Sequence, residues 1–98
     1  MTKYFVTWET DTSKLPSDSQ ERGALFIQML EATKQTLKEG RVNDWGQFIG
    51  GGKGYGIADG DGIEVYKTLQ QFAPYITLNV QEVLSVDEVI EAIKSLMG

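Results

Sequence analysis

Residues 44–60, DWGQFIGGGKGYGIADG, decide the fold of this chain. Two short runs with aromatic and aliphatic residues flank a glycine-rich turn. This pattern predicts two antiparallel strands, over about 43–49 and 54–59, joined as a hairpin. Helical patterns lie on both sides of the hairpin, so the order of the other elements follows from it.

The segment before the hairpin predicts one strand and one long helix. Aromatic and β-branched residues favour a strand over about 3–9. Apolar residues then recur every three or four positions, which predicts an amphipathic helix over about 18–39. Ser17 or Ser19 is the expected N-cap, and Gly40 supplies the left-handed stop.

The segment after the hairpin predicts a helix, a strand and a second, shorter helix. Asp61 is the expected cap of the first helix, and Pro74 prevents its continuation. A strand is expected over about 75–83. Ser85 and Glu88 then have the spacing of a capping box, which opens a short C-terminal helix.

The element order is β-α-β-β-α-β followed by a helix, which is an α+β, ferredoxin-like arrangement in a single domain over residues 1–98. Right-handed crossovers place both long helices on one face of a four-stranded antiparallel sheet. The other face stays uncovered. We therefore expect a homodimer that packs sheet to sheet and encloses a cavity.

Alternation along the strands assigns side chains to the uncovered face. For the first two strands the pattern permits either assignment, and we place Phe5 and Trp45 on the uncovered face. The candidate ligand-binding residues inside the resulting barrel are Glu9, Trp45, Tyr55, Asn79 and Gln81. The same residues are equally compatible with a hydrated dimer interface that binds no ligand. Glu9 becomes a candidate base only if the dimer buries it.

Composition excludes several kinds of chemistry. The chain has no cysteine and no histidine, so thiolate and imidazole metal sites and histidine-ligated haem are not expected, and we expect no cofactor. A net charge of −5 opposes binding to nucleic acid. A Walker loop ending at Lys53 would need glycine at position 47 and serine or threonine at 54, where the chain has Gln47 and Gly54.

No apolar run approaches the ~20 residues of a membrane helix, and the N-terminus lacks the pattern of a signal peptide. A cytoplasmic protein without a membrane partner is therefore the expectation.

The hairpin and the opening strand resemble those of a known superfamily. The Trp-Gly…Gly-Gly-Lys-Gly-Tyr pattern within 44–59 and the Lys-Tyr-Phe-Val-Thr-Trp strand at 3–8 are similar to a branch of small prokaryotic proteins of unknown role. With the element order, they resemble the dimeric α/β-barrel superfamily, which includes muconolactone isomerase and antibiotic-biosynthesis monooxygenases. The resemblance implies a barrel dimer. Its haem-degrading members use a histidine that this chain lacks, and no catalytic motif carries over.

Two classes of function remain open from the sequence. One is a small-molecule-binding or assembly module with a cavity between two sheets. The other is a cofactor-independent isomerase or monooxygenase acting on a small aromatic or polyketide-like substrate. Whether the chain is an enzyme stays undecided at this point.

Overall fold

A computed structural model describes residues 2–98. The described residues form four strands, three α-helices and one 3₁₀ turn at Thr12–Lys14. In chain order they are β1 Lys3–Thr10, α1 Ser19–Lys38, β2 Asp44–Gln47, β3 Lys53–Asp59, α2 Gly62–Gln70, β4 Ile76–Val83 and α3 Val86–Leu96.

The four strands form one antiparallel sheet in the order β2-β3-β1-β4. Helices α1 and α2 lie on one face of it, where Val65 and Leu69 of α2 and Leu37 of α1 pack with Val6 and Ala58 of the sheet. This is the α+β, ferredoxin-like fold that the element order predicts. The opposite face of the sheet is covered by no element of the described residues, and we call it the open face.

The helix ends agree with the sequence at four points and differ at one. Gly40 has a φ of 78° directly after α1, Asp61 caps α2, and Ser85 with Glu88 forms a complete capping box on α3. The cap of α1, however, is Asp18, whose side chain accepts a 3.0 Å hydrogen bond from the Glu21 amide. The prediction of Ser17 or Ser19 is wrong because three adjacent residues can all cap a helix, and a carboxylate also favours the positive end of the helix dipole.

The β2–β3 hairpin is confirmed, but β2 ends at Gln47, two residues earlier than predicted. The Phe48 amide donates to the Lys53 carbonyl, and the Gly51 amide donates to the Phe48 carbonyl (both 2.8 Å). A five-residue loop thus begins at Phe48. Gly51 and Gly52 have φ of 83° and 78°, which residues with side chains rarely adopt.

Aromatic rings lying over glycines organise the sheet. Trp8 is paired with Gly54 and Trp45 with Gly56, and both indoles cover the glycine backbone on the helix side. The two indoles stack with ring centroids 5.4 Å apart and planes 8° from parallel. On the open face, Tyr55 covers Gly46 in the same way. At Gly54 and Gly46 the ring on the adjacent strand fills the space that a Cβ atom would need, whereas at Gly56 the Trp45 ring lies 3.9 Å from that position, at ordinary contact distance.

We expect Gly54→Ala to destabilise the fold strongly. A methyl group there would lie 2.5 Å from the Trp8 ring and would collide with the Gly46 carbonyl. Overpacking of this kind costs about 1–3 kcal/mol, measured as the free energy of unfolding in urea.

Gly23→Ala is the matched control for that experiment. Gly23 lies in α1 with open space around its Cα, so alanine there should raise stability by up to about 1 kcal/mol through helix propensity. Equal effects of the two substitutions would contradict the role assigned to the aromatic rings.

Candidate functional site

An apolar cleft of about 440 Å³ lies between the sheet and α1, and we call it the helix-side cleft. The indoles of Trp8 and Trp45 form part of one wall, and α1 and the segment after α2 form the others. The side chains that line it include Val6, Trp8, Phe26, Met29, Leu30, Thr33, Trp45, Gln47, Phe72, Ile76 and Leu78.

The cleft exists because α1 packs on the sheet through its C-terminal half only. Thr33 and Thr36 are buried there, and Gln71 donates a 3.1 Å hydrogen bond to the Thr36 hydroxyl, which ties α1 to the end of α2. Met29 and Phe26, respectively one and two turns nearer the N-terminus than Thr33, remain partly exposed and line the cleft. The apolar stripe of α1 is thus longer than the part of the sheet that it covers.

One polar atom in the cleft wall lacks a partner. Trp8 is only 9% exposed, and its indole Nε1 is buried. This nitrogen makes no hydrogen bond within the described residues. The other buried polar groups of the lining have partners: the hydroxyls of Thr33 and Thr36 donate hydrogen bonds to the carbonyls of Met29 and Ala32 in α1. A buried N–H without an acceptor costs about 1–3 kcal/mol. Because the nitrogen has no accessible surface, an acceptor on a bound molecule recovers that free energy only when the indole shifts toward the cleft.

The lining carries no ionisable side chain. Thr10, Thr33, Thr36 and Gln47 provide its polar side chains beside the indole, and every other lining residue is apolar or glycine. The site can therefore enclose an uncharged apolar molecule and offer it a small number of hydrogen bonds. It holds no carboxylate, amine or phenol that could transfer a proton.

The structure places four of the five predicted site residues on the open face, and it separates the fifth from them. The strand register puts Glu9, Tyr55, Asn79 and Gln81 on that face, with Tyr55 and Asn79 opposite each other across Thr7. Trp45 lies on the helix side, stacked on Trp8, so its predicted position on the open face is wrong. With only four residues in β2, alternation does not determine which side of the sheet each residue faces.

The four open-face residues have different surroundings. Glu9 is exposed and lies 3.7 Å from the Lys53 ammonium group, a surface pair worth little to stability. The Tyr55 hydroxyl donates a 2.9 Å hydrogen bond to the Asp44 carboxylate. This hydrogen bond, assisted by partial desolvation and by the negative charge of Asp44, raises the pKa of the Tyr55 phenol above its ordinary value. Asn79 and Gln81 are exposed on β4.

The helix-side cleft was not predicted as a site, although several of its residues were predicted as core. Phe26, Met29 and Leu30 belong to the apolar stripe of the long helix in the sequence. The signal that could have indicated the cleft is the pairing of two tryptophans with glycines on the adjacent strand. Directly paired residues share one side of the sheet, so this pairing places both indoles on the side that the helices cover.

The sequence matches no model of a known protein family and no curated protein. None of the helices within residues 2–98 has the length and hydropathy that crossing a bilayer requires. In the same residues, no three histidine, cysteine or carboxylate side chains meet in a way that could hold a metal ion.

We expect the Tyr55 phenol to titrate above pH 10 and its pKa to fall in Asp44→Asn, because that change removes the adjacent charge. The pKa of the Tyr55 phenol is higher in the folded state than in the unfolded state. The contribution of the Tyr55–Asp44 hydrogen bond to the free energy of unfolding is therefore fully present below about pH 10, and it is lost as pH rises through the folded-state pKa. Carbon-13 NMR of the tyrosine Cζ atoms measures this, with Tyr55→Phe assigning the signal. Identical Tyr55 titrations in the wild type and in Asp44→Asn would contradict the assignment.

Proposed function

We propose that this protein binds an uncharged, largely apolar small molecule in the helix-side cleft. The observation that carries the proposal is the apolar cleft itself, walled in part by the stacked indoles of Trp8 and Trp45. A ligand with a hydrogen-bond acceptor, such as a ketone or ether oxygen, satisfies the Trp8 N–H when its entry shifts the indole, because that nitrogen has no accessible surface in the free protein. The rest of its surface contacts aliphatic and aromatic side chains.

The size and shape of the cleft favour a flat ligand with two or three rings. About 440 Å³ lies within the range of small-molecule sites, and the Trp8–Trp45 stack supplies a planar indole surface. An aromatic ligand gains offset stacking or edge contacts there, worth about 0.5–1.5 kcal/mol beyond the burial of its surface.

The composition of the lining favours binding over catalysis. General acid–base chemistry requires a group that gains or loses a proton next to the reacting atom. The polar side-chain groups of the cleft lining are three hydroxyls, one amide and two indole N–H groups. A cofactor-independent isomerase or monooxygenase is the alternative, and it would require a substrate that supplies its own acidic proton or reducing power.

A homodimer that packs open face to open face is the second part of this proposal, and it matches the resemblance to the dimeric α/β-barrel superfamily. Phe5, Tyr55 and Ile57 contribute apolar surface to that face beside Thr7 and Asn79. A second sheet packed about 10 Å away would cover them. The candidates Glu9, Tyr55, Asn79 and Gln81 would then lie between the two sheets.

The first test compares two probes with the same ring system, 2-acetylnaphthalene and 2-ethylnaphthalene, of which only the ketone carries an acceptor. Trp8→Phe should weaken binding of the ketone about 3- to 10-fold more than binding of the hydrocarbon, as expected for the loss of one hydrogen bond. Isothermal titration calorimetry measures the affinities, and the ligand-induced rise in Tm provides a second readout.

Two variants control this test. Trp45→Phe removes the other indole of the stack and should affect both probes alike. Asn79→Leu, on the open face, should leave both affinities unchanged. If Asn79→Leu abolishes binding and Trp8→Phe does not, the ligand lies on the open face and the proposed site is wrong.

The second test addresses the dimer. Size exclusion with light scattering should give twice the 10.9 kDa chain mass at micromolar concentration. Phe5→Lys should raise the dimer dissociation constant, because two added cations would meet in a low-dielectric interface. Gln28→Lys adds the same charge on exposed α1 and should leave the dissociation constant unchanged. Equal dissociation constants for Phe5→Lys and Gln28→Lys would contradict packing through the open face.

A further inference from the structure

The C-terminal helix α3 carries an apolar stripe that no other element of residues 2–98 buries. The stripe consists of Val86, Val89, Ile90, Ile93 and Leu96, which recur at helical spacing and are 40–87% exposed. The opposite side of α3 carries Asp87, Glu91 and Lys94. An amphipathic helix is stable when its apolar side packs against another surface, so the stripe indicates a contact outside this chain.

The geometry of the chain holds α3 away from its own core. The capping box fixes the start of the helix at Ser85, whose backbone is extended (φ −72°, ψ 165°), and every residue of α3 is exposed. The molecule measures 62 × 25 × 22 Å, with a radius of gyration of 16.4 Å. A compact domain of this length has about 13 Å. The helix therefore extends as an arm beyond the edge strand β4.

A second unpartnered apolar surface lies between α2 and β4, at the edge of the sheet from which the arm leaves. We call it the edge groove. It is lined by Tyr4, Gly62, Val65, Tyr66, Leu69, Gln70, Leu78 and Val80, and its floor is the buried core at Val65 and Leu69. Tyr66 is 64% and Val80 42% exposed. Because β4 is an edge strand, the groove is open to a helix arriving from another molecule.

We propose that two copies of this chain exchange their C-terminal helices, each α3 stripe packing into the edge groove of the other copy. One such contact is small. Half the surface of an eleven-residue helix, about 16 Å long and about 10 Å across, is roughly 260 Å². Counting both partners, a single contact removes about 500 Å² from water, about half of what a specific interface needs.

Symmetry favours a second copy over a foreign partner. In a two-fold dimer the helix–groove contact occurs twice and removes on the order of 1,000 Å², which reaches the threshold of a specific interface. Both complementary surfaces are present in one chain, so reciprocal exchange covers both at once. The exchange requires neither a ligand in the helix-side cleft nor contact through the open face.

The first test measures the dimer dissociation constant of the full-length chain by analytical ultracentrifugation. Ile93→Asp should weaken the dimer at least about 100-fold, since an unpaired carboxylate is buried at both symmetric contacts. Lys94→Asp places the same residue on the polar side of α3 and should have a far smaller effect. Because α3 lies outside the core, both variants should bind 2-acetylnaphthalene as the wild type does.

The second test uses the absence of native cysteine. Chains with Val80→Cys and chains with Ile93→Cys, one of them carrying a size tag, are mixed and treated with a short bis-maleimide. Exchange predicts the mixed crosslinked dimer as the main product. A third chain carries both Val80→Cys and Ile93→Cys. Crosslinking of its two cysteines within one chain would overturn the proposal, as would crosslinking that occurs only between two Ile93→Cys chains.

A dimer held through the open face alone gives a distinct result. Ile93→Asp would leave the dissociation constant unchanged and no Val80–Ile93 product would form, which overturns the exchange while leaving the open-face contact intact. A monomeric wild type that forms no mixed crosslink would also overturn it.

Discussion

The structure depends on one steric constraint: aromatic rings on one strand occupy the space left by glycines on its neighbour. Trp8 covers Gly54, Trp45 covers Gly56, and Tyr55 covers Gly46. Glycine in a strand normally weakens a sheet, because it adds chain entropy and buries nothing. Here the neighbouring ring buries the glycine backbone and offsets that cost. The pairs also set the register, because a one-residue slip would turn each ring to the other side of the sheet.

The same constraint produces the helix-side cleft. Gly54 and Gly56 give the sheet no side chains of their own under α1, and the two indoles lie flat over them. The N-terminal half of α1 therefore has no projecting side chains to interdigitate with, and the buried residues of the helix, Thr33 and Thr36, lie in its C-terminal half. The unpartnered Trp8 N–H follows from this arrangement, because its ring position is set by Gly54 and not by a hydrogen-bond acceptor. Packing of the sheet thus explains both the space and the polar atom that we assign to ligand binding.

Local patterns in the sequence were sufficient for the elements and their order, and insufficient for the site. Three- and four-residue periodicity determined α1, and clear alternation from Ile76 to Gln81 placed Asn79 on the open face. Trp45 was misplaced because β2 is too short for alternation and because Gly46 carries no polarity signal. The cleft depends on where α1 meets the sheet, which is a tertiary property that no local pattern records. The choice of Asp18 over its neighbours as the cap likewise depends on chain geometry outside the helix.

A small core links stability to association in this protein. The buried apolar residues are Val6, Trp8, Val42, Ala58, Val65 and Leu69, while larger apolar surfaces lie in the cleft, on the open face and along α3. A domain of about 100 residues is marginally stable even with a well-filled core. Any partner or ligand that covers those surfaces binds only the folded chain, so its binding free energy adds to the free energy of unfolding. Exposed apolar residues that weaken the isolated chain would therefore carry no cost where assembly buries them, and the position of α3 outside the core would let the proposed exchange take place without disturbing the cleft.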